Sequence, residues 1–381
     1  MADKTFLNWP FFEEEHRELS QALEQWCTVN LPVDHSDVDE ACKQLVSDLG
    51  SAGFLSITGA VHGEKLDVRS LCLTRETLAR YDGLADFSFA MQGLGTGAIS
   101  LFGSKNQQKW LEKTRNGTAL SAFALTEPAS GSDVANITMS AELDGDDYIL
   151  NGEKTWISNG DIADIYTVFA RTGSDEGAKG LSAFIVPADS LGLEVVERIE
   201  TISPHPIARL KFNDLRIPLH NRIGEAGKGF AIAMSVLDVF RPTVGAAALG
   251  FARRALDETL SRSDNRQLFG APLFDLQMVQ GHIAEMALDI DAAALLVYRA
   301  AWAKDMGAQR ITREAAMAKL YATDKAQDVI DKAVQIHGGD GVKKGHIIES
   351  LYREIRALRI YEGASDVQKV IIARQTQGAY K

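Results

Sequence analysis

The chain has 381 residues, of which 45% are hydrophobic and 24% are charged. This composition excludes wholesale disorder. The length is typical of about two or three domains, or of one domain built of several structural layers, with a sizeable core. The formal net charge of −12 opposes sequence-independent binding to nucleic acid or to anionic membranes, so we expect neither as a partner.

Cysteine usage and the amino terminus indicate the compartment. The 3 cysteines show no Cys-x-x-Cys spacing, which indicates neither a disulfide framework nor a zinc site. The start of the chain lacks an apolar signal segment, and the acidic run at residues 13–15 argues against a mitochondrial transit peptide. No uninterrupted apolar segment is long enough to span a bilayer. We therefore expect a soluble, unprocessed, cytoplasmic protein.

The pattern is helical from about residue 11 to residue 117. Apolar residues such as Leu19, Leu23 and Trp26 recur there at three- and four-residue intervals. This periodicity predicts an all-helical N-terminal domain, to which we assign residues 1–119.

Short β-prone segments separated by turn residues follow Thr118. The predicted strands cover residues 137–143, 148–150, 165–170, 181–186 and 208–212. Their spacing predicts a small antiparallel β-barrel or sandwich as the middle domain, over residues 120–226.

The helical period returns after the glycine-rich segment 224–229. Two long helical patterns cover residues 311–336 and 347–374, the second broken by Gly363, and Pro242 is expected to start or kink a helix. These patterns define a helical C-terminal domain, residues 227–381. The order of helices, strands and helices predicts an α+β, multi-layer protein and argues against a parallel doubly wound sheet.

Two segments of the middle domain carry the most distinctive pattern. Residues 123–133 read FALTEPASGSD, and residues 152–160, one hairpin further on, read GEKTWISNG. Alone, the first segment is a turn rich in Pro, Gly, Ser and Asp. Small hydroxyl-bearing residues can nevertheless approach a polar ligand closely, and Trp156 offers a flat surface to an aromatic ring.

Together these segments resemble the flavin-binding signatures of the acyl-CoA dehydrogenase family, T-E-P-x-x-G-S-D and W-I-[ST]-N-G. The resemblance covers essentially the whole chain and preserves the order of the motifs. It implies FAD as the cofactor, an acyl-CoA thioester as the substrate, a C-terminal four-helix bundle, and a homo-oligomer that is a tetramer or a dimer.

The resemblance also implies which residues contact FAD. Thr126 and Ser158 would hydrogen-bond the isoalloxazine edge, and Trp156 would lie against one of its faces. Arg266 would pair with the pyrophosphate, since its planar fork can donate two parallel hydrogen bonds. The other expected FAD contacts are Phe123, Leu125, Ser132, Ile157, Phe269, Gln277, Gln335, Gly338, Gly339, Ala364, Ser365 and Asp366.

The substrate contacts follow in the same way. Ser132 would touch the pantetheine or phosphate portion of the thioester, and Asp238 and Arg241 would line the entrance that faces CoA. The remaining expected substrate contacts are Met91, Gln92, Tyr361 and Gly363. Acyl chain length, branching and pathway stay open.

Residues 359–368 read RIYEGASDVQ and resemble the family pattern I-Y-E-G-T-S-x-x-Q, whose glutamate is the catalytic base. Glu362 is therefore the expected base, and Gly363 would let the chain turn so that the carboxylate enters the pocket. Other family members carry the base at the position of Phe240, which cannot accept a proton. Ala364 replaces the usual Thr, so a hydroxyl contact to the FAD pyrophosphate is expected to be lost, and the backbone amides of Ser365 and Asp366 are expected to serve in its place.

The implied reaction is α,β-dehydrogenation of the acyl thioester to the trans-2-enoyl thioester, with electrons passed to electron-transfer flavoprotein. Alternatives within the family are a substrate bound to acyl carrier protein, a nitroalkane-type oxidation, and a DNA-associated flavoprotein, which the net charge disfavours.

Two further segments suggest other enzymes. Residues 93–98 match a loose dinucleotide fingerprint, which would indicate a nicotinamide-dependent Rossmann dehydrogenase, but no strand precedes them and no βαβ series follows. Residues 335–341 (QIHGGDG) could form the oxyanion loop of an esterase, although no Gly-x-Ser-x-Gly is present. The resemblance to the acyl-CoA dehydrogenase family implies instead that residues 335–339 lie against the adenosine side of FAD, often that of a neighbouring subunit. In that segment His337 could equally be structural.

Overall fold

The computed structural model describes residues 3–61, 63–173 and 175–380. The chain forms two compact units. The first contains Met1–Val33, Asp67–Asp86 and Asp238–Lys381, and the second contains Asp34–Leu66 and Phe87–Leu237. The predicted N-terminal helical region is thus divided between the two units, and the three-domain division remains a prediction.

Helices occupy both ends of the chain, as predicted. They are α1 (Glu14–Asn30), α2 (Val38–Ser51), α3 (Val68–Tyr81), α4 (Gly83–Phe102), α5 (Lys109–Arg115), α6 (Gly229–Asn265), α7 (Gln277–Asp305), α8 (Thr312–His337), α9 (Ile347–Leu358) and α10 (Ser365–Ala379). Side-chain caps set some of their starts: the Asp37 carboxylate accepts from the Glu40 amide at 3.1 Å, and the Asp67 carboxylate accepts from the Ser70 amide at 3.1 Å.

The sheet lies in the second unit. Its strands are β1 (Ser121–Ala124), β2 (Ser140–Asp144), β3 (Asp147–Ser158), β4 (Ile165–Arg171), β5 (Leu181–Pro187), β6 (Leu193–Arg198), β7 (Ile207–Pro218) and β8 (Arg222–Ile223). They pair in the order β6-β7-β3-β2-β4-β5-β8, and β1 pairs with β4. Along the chain, helices precede and follow the strands of this sheet, which confirms the predicted fold class. A short ribbon, β9 (Gln267–Leu268) with β10 (Ala271–Pro272), belongs to the first unit.

The sheet is mixed, whereas the spacing of the strands predicts an antiparallel one. Most pairs are antiparallel, but β1 runs parallel to β4 over four residue pairs, and β2 meets β4 in parallel at Ser140 and Arg171. Between β1 and β2 lies the first signature segment, a loop whose length lets both strands run in the same direction. A core that includes Leu150, Phe184 and Phe212 packs against one face of these strands.

Helix α6 runs without interruption through Pro242, so the expectation that this proline starts a helix is wrong. Its most apolar window would be long enough to cross a membrane, but 89% of that window is buried, which is typical of a core helix. At Gly250 a Cβ would collide with the Glu76 carbonyl of α3, so close packing of the two helices requires glycine there.

The dinucleotide fingerprint lies inside α4, and the Rossmann alternative is therefore wrong. A Cβ at Gly95 would collide with Ser121 of β1, and the Gly95 carbonyl accepts a hydrogen bond from Thr167 Oγ1 at 2.6 Å. These glycines let a helix pack closely on the sheet of the second unit; they do not form a phosphate-binding turn.

Candidate active site

The expected base lies on a left-handed turn between α9 and α10 of the first unit. Glu362 has φ 53° and Gly363 has φ 92°. A residue other than glycine is strained when its φ angle is positive, and such a conformation persists only where the surrounding structure imposes it.

Side chains from three helices hold this turn by its carbonyls. Lys319 Nζ and Gln368 Nε2 each donate to the Gly363 carbonyl at 2.9 Å, and Arg241 Nε donates to the Glu362 carbonyl at 3.4 Å. The three donors come from α8, α10 and α6 respectively. The carbonyls of the turn are thus fixed, while the Glu362 carboxylate takes no part in holding it.

One oxygen of the Glu362 carboxylate has unusual surroundings. Its Oε2 atom is buried, and among the described residues no donor reaches it. Burial raises the pKa of Glu362, and the positive charges of Arg75, Lys319 and Arg241 oppose that rise. A buried carboxylate oxygen that accepts no hydrogen bond is costly unless a ligand uses it, which favours a functional role.

The two signature segments meet in the second unit. Lys154 Nζ donates to Glu127 Oε1 and to the Leu125 carbonyl, both at 2.9 Å, and is wholly buried. The Glu127 carboxylate also accepts the Thr138 and Met139 amides, at 2.6 and 3.0 Å. This buried pair ties the loop after β1 to strand β3.

Trp156 stands out from the strand that carries it. Its φ is 60°, and it is 59% exposed, whereas its neighbours Thr155 and Ile157 are buried. The pairing of β3 with β7 shifts register between Lys154 and Ile157, which turns the indole outward. An exposed indole is a surface on which a flavin could stack, so the residues present fit this group.

The polar members of the signatures remain accessible. Thr126 and Ser158 are half-buried, and Ser132 is exposed. The Thr126 carbonyl accepts a backbone hydrogen bond from the Thr155 amide at 3.0 Å. This bond does not use the Thr126 hydroxyl. Of the other expected cofactor contacts in this unit, Phe123 is also half-buried, and Leu125 and Ile157 are buried.

The predicted pyrophosphate and adenosine contacts partly come together. Arg266, Gln335, Gly338 and Gly339 line one groove of about 420 Å³ in the first unit. Neither Phe269, which is 93% exposed on the β9–β10 hairpin, nor the exposed Gln277 lines it. His337 also lines this groove; its side chain is buried, and its Nδ1 atom lies 2.8 Å from the Ala333 carbonyl.

The start of α10 differs from the expectation for its backbone amides. The Ser365 amide donates to the Arg359 carbonyl at 3.1 Å, and its hydroxyl donates to Asp324 Oδ1 at 2.9 Å. Ser365 therefore has no free amide to offer FAD, which corrects that part of the prediction. Ala364 is the N-cap and provides no side-chain cap, and Asp366 is exposed.

One expected substrate contact, Gln92, has a structural role. Gln92 is wholly buried: its Nε2 donates to the Ala119 carbonyl at 2.6 Å, and its Oε1 accepts from the Ser121 amide at 3.0 Å. The side-chain amide of Gln92 thus holds α4 against β1, and for this reason we withdraw Gln92 as a substrate contact. Met91 beside it is only 7% exposed.

Asp238 and Arg241 are also buried, which does not suit residues at an open entrance. Asp238 Oδ2 accepts from Thr312 Oγ1 at 2.9 Å, and Arg241 supports the Glu362 turn. Tyr361, next to the base, is 37% exposed and stays a candidate substrate contact.

Sequence reasoning missed Arg75, Lys319, Glu127 and Lys154. All four are buried. Arg75 and Lys319 act on the charge of Glu362, Lys154 donates to the Leu125 carbonyl, and Glu127 pairs with Lys154. The available signal was a charged residue on an otherwise apolar helix stripe, as at Arg75 between Leu71 and Leu78.

The helical regions that flank a central sheet in the sequence, the buried carboxylate oxygen and the exposed indole are the features expected of a flavin-dependent oxidoreductase. Three domain families match the chain: Acyl-CoA dehydrogenase, N-terminal domain (residues 13–118), Acyl-CoA dehydrogenase, middle domain (residues 122–215), and Acyl-CoA dehydrogenase, C-terminal domain (residues 227–377). The chain belongs to the acyl-CoA dehydrogenase family.

Individual relatives agree with this assignment. The mitochondrial short-chain specific acyl-CoA dehydrogenase of Rattus norvegicus is 38% identical over 344 residues, 88% of this chain and 83% of the relative. The structure of butyryl-CoA dehydrogenase from Megasphaera elsdenii matches with a TM-score of 0.82 and 32% identity, over 91% of this chain and 100% of that chain. The structure of a glutaryl-CoA dehydrogenase from Mycobacterium smegmatis in complex with FADH2 matches with a TM-score of 0.89 and 26% identity, over 97% of this chain and 96% of that chain.

Proposed function

We propose that the chain is an FAD-dependent acyl-CoA dehydrogenase that converts an acyl-CoA to the trans-2-enoyl-CoA, with Glu362 as the base. The observation that carries the proposal is the Glu362 carboxylate, whose Oε2 atom is buried and, within the described residues, accepts no hydrogen bond. Such a group is costly to the fold and is useful only when a ligand brings it a proton.

The Glu362 carboxylate removes the α-proton of the thioester, and that proton stays on the carboxyl group. The β-hydrogen leaves with its bonding electron pair, for which bound FAD supplies the acceptor. Because the α-proton is very weakly acidic, the developing enolate oxygen needs hydrogen-bond donors; losing one such donor typically costs about 3 to 4 kcal/mol of barrier. The clamped turn at Glu362 and Gly363 keeps the Glu362 amide in a fixed position for this role.

The cofactor is proposed to be held by Thr126, Trp156 and Ser158, with Arg266 at the pyrophosphate. Trp156 is exposed in a fixed left-handed conformation, which suits stacking on a flat ring. Arg266 lines a groove together with Gly338 and Gly339, where backbone amides can approach an anion closely.

Short acyl chains are the first candidates for the substrate. The short-chain specific relative from Rattus norvegicus and the butyryl-CoA dehydrogenase structure support this choice. A carrier-protein thioester is the alternative substrate. Electron-transfer flavoprotein is the proposed acceptor, as the resemblance to the family implies.

Assembly and location complete the proposal. We propose a homotetramer or dimer, which is supported by exposed apolar residues at heptad spacing on α7, namely Leu288, Leu295 and Trp302. A cytoplasmic location is supported by Cys27, Cys42 and Cys72, which are all buried free thiols.

The test is anaerobic bleaching of the bound flavin with a panel of thioesters, from butyryl-CoA to long, branched and dicarboxylic acyl-CoA, each also offered on acyl carrier protein. We expect rapid bleaching and an enoyl product with at least one short acyl-CoA. If dithionite bleached the flavin while no thioester did, the proposed function would be wrong.

A further inference from the structure

Lys319 of α8 is wholly buried in the first unit, a rare state for a lysine. Its Nζ atom donates to the Gly363 carbonyl at 2.9 Å, the residue directly after the proposed base. The proposed reaction assigns this ammonium group no role, so its burial needs a separate explanation.

We propose that Lys319 is a positioning residue for the base: its ammonium group holds the Glu362–Gly363 turn and keeps the Glu362 carboxylate ionised. This role of Lys319 rests on the proposed function in one respect, which is that Glu362 is the base.

The hydrogen bond to Gly363 explains the geometry of the turn. Two consecutive residues with positive φ, one of them a glutamate, are unfavourable in a free chain. Lys319 shares the Gly363 carbonyl with Gln368, so two donors from two helices fix one peptide group. The position of the Glu362 carboxylate therefore depends on a residue that lies 43 positions earlier in the chain.

The charge of Lys319 is less compensated than the other cations near Glu362. Arg75 is paired through two hydrogen bonds with Asp86, and Arg241 Nη1 lies 3.7 Å from Asp238. Within the described residues, no carboxylate oxygen lies within 4.0 Å of Lys319 Nζ. Asp324, on the same helix, is already bonded to Arg359 and Ser365. The Lys319 charge is thus available to Glu362.

The titration of Lys319 agrees with this assignment. Burial lowers the pKa of Lys319 to about 8, and Glu362 is the largest influence that opposes the fall. Lys319 therefore stays mainly charged at neutral pH and loses its charge as the pH rises through about 8. The groups that act on Glu362 or Lys319 are Arg75, Asp86, Arg241, Asp324, Arg359 and Tyr361.

The experiment compares two substitutions. Lys319→Met removes both the charge and the hydrogen bond, and Lys319→Gln removes the charge but keeps a donor for the Gly363 carbonyl. Lys325→Met, on the same helix but facing Asp289 and Asp328, is the matched control. The rate of anaerobic flavin reduction by the best acyl-CoA is followed between about pH 5 and about pH 9.

We expect the acid limb of this profile to move up by on the order of one pH unit in both Lys319 variants and to stay unchanged in the control. An unmoved limb in a folded Lys319→Gln protein would overturn the proposal, whatever happens to the overall rate. If Lys319→Met does not fold, Lys319→Gln decides alone.

A measurement without turnover separates the two proposals. The Glu362 carboxyl group can be titrated by 13C NMR in labelled protein, with Glu362→Gln used to assign its resonance. A higher pKa in Lys319→Gln than in the parent supports the positioning role even if no thioester is oxidised. An unchanged pKa contradicts it even if the parent enzyme is active.

Discussion

Arg75 donates from Nε and Nη2 to the two carboxylate oxygens of Asp86, each at 2.8 Å, and both side chains are buried in the unit that holds Glu362. The remaining arm of the guanidinium donates to Thr243 at 3.0 Å. Among the charges that act on Glu362, Arg75 is the largest and Asp86 is smaller. The pair therefore favours the ionised form of the base.

Replacing Arg75 by Met leaves Asp86 buried without its ionic partner. Breaking one side of a buried pair typically costs about 3 to 5 kcal/mol, so we expect a loss of that order in the free energy of unfolding, measured in urea. The double variant Arg75→Met, Asp86→Leu should recover much of the loss, because it removes both charges. Equal stability of the parent and the single variant would contradict this account of the pair.

The pH dependence of the reaction should report the buried base. Burial raises the pKa of Glu362 above the ordinary 4.5, and the base acts only when it is ionised. The rate of flavin reduction should therefore fall as the pH is lowered, and the midpoint of this fall should lie above pH 4.5. Stopped-flow reduction at a series of pH values measures this limb. A rate that stays constant down to the ordinary glutamate range would contradict a raised pKa.

Gly363→Ala tests the left-handed turn. A Cβ at this position would lie 2.5 Å from Gln368 Nε2, on a residue with φ 92°. We expect a destabilisation greater than about 1 kcal/mol together with slower turnover, measured by thermal unfolding and by flavin reduction. Gly378→Ala in α10 is the matched control, because its Cβ would meet no atom within 4 Å and should stabilise the helix slightly. Equal effects of the two substitutions would argue against strain at the turn.

Ala364→Thr restores the residue that the family pattern carries at the start of α10. Ala364 is an N-cap without a side-chain cap, and a Thr there typically stabilises a helix by about 1 kcal/mol. We expect a higher unfolding temperature and, if the hydroxyl also reaches FAD, slower loss of the cofactor on dilution, followed by flavin fluorescence. Ala364→Val has a similar shape without the hydroxyl and should give neither gain.

The order of elements could be predicted from the sequence because helix and strand periods differ strongly along this chain. The helical pattern at residues 311–336 corresponds to α8, and the segment broken at Gly363 corresponds to α9 and α10. Strand β6 was missed because it is mostly exposed and lacks the alternation of a half-buried strand. Strand β1 was not predicted either, and its parallel pairing with β4 depends on where the following loop carries the chain.

The candidate site also has a part that could be predicted from the sequence and a part that could not. Glu362 and Trp156 lie in local motifs, so a resemblance is enough to name them. The support of the base comes from Arg75, Arg241 and Lys319, which are far apart in sequence and meet only through helix packing. Gln92 and Arg241 were assigned to the substrate because local patterns cannot show that a polar side chain is already used inside the fold.

The most direct test of the central claim is flavin reduction by Glu362→Gln. This substitution keeps the size of the side chain but removes the proton acceptor, and a positioned general base typically contributes about 10²- to 10⁴-fold in rate. We predict that the variant retains FAD and binds the best acyl-CoA as the parent does, while its anaerobic flavin reduction slows by about that factor. Reduction at the parent rate would show that Glu362 is not the base.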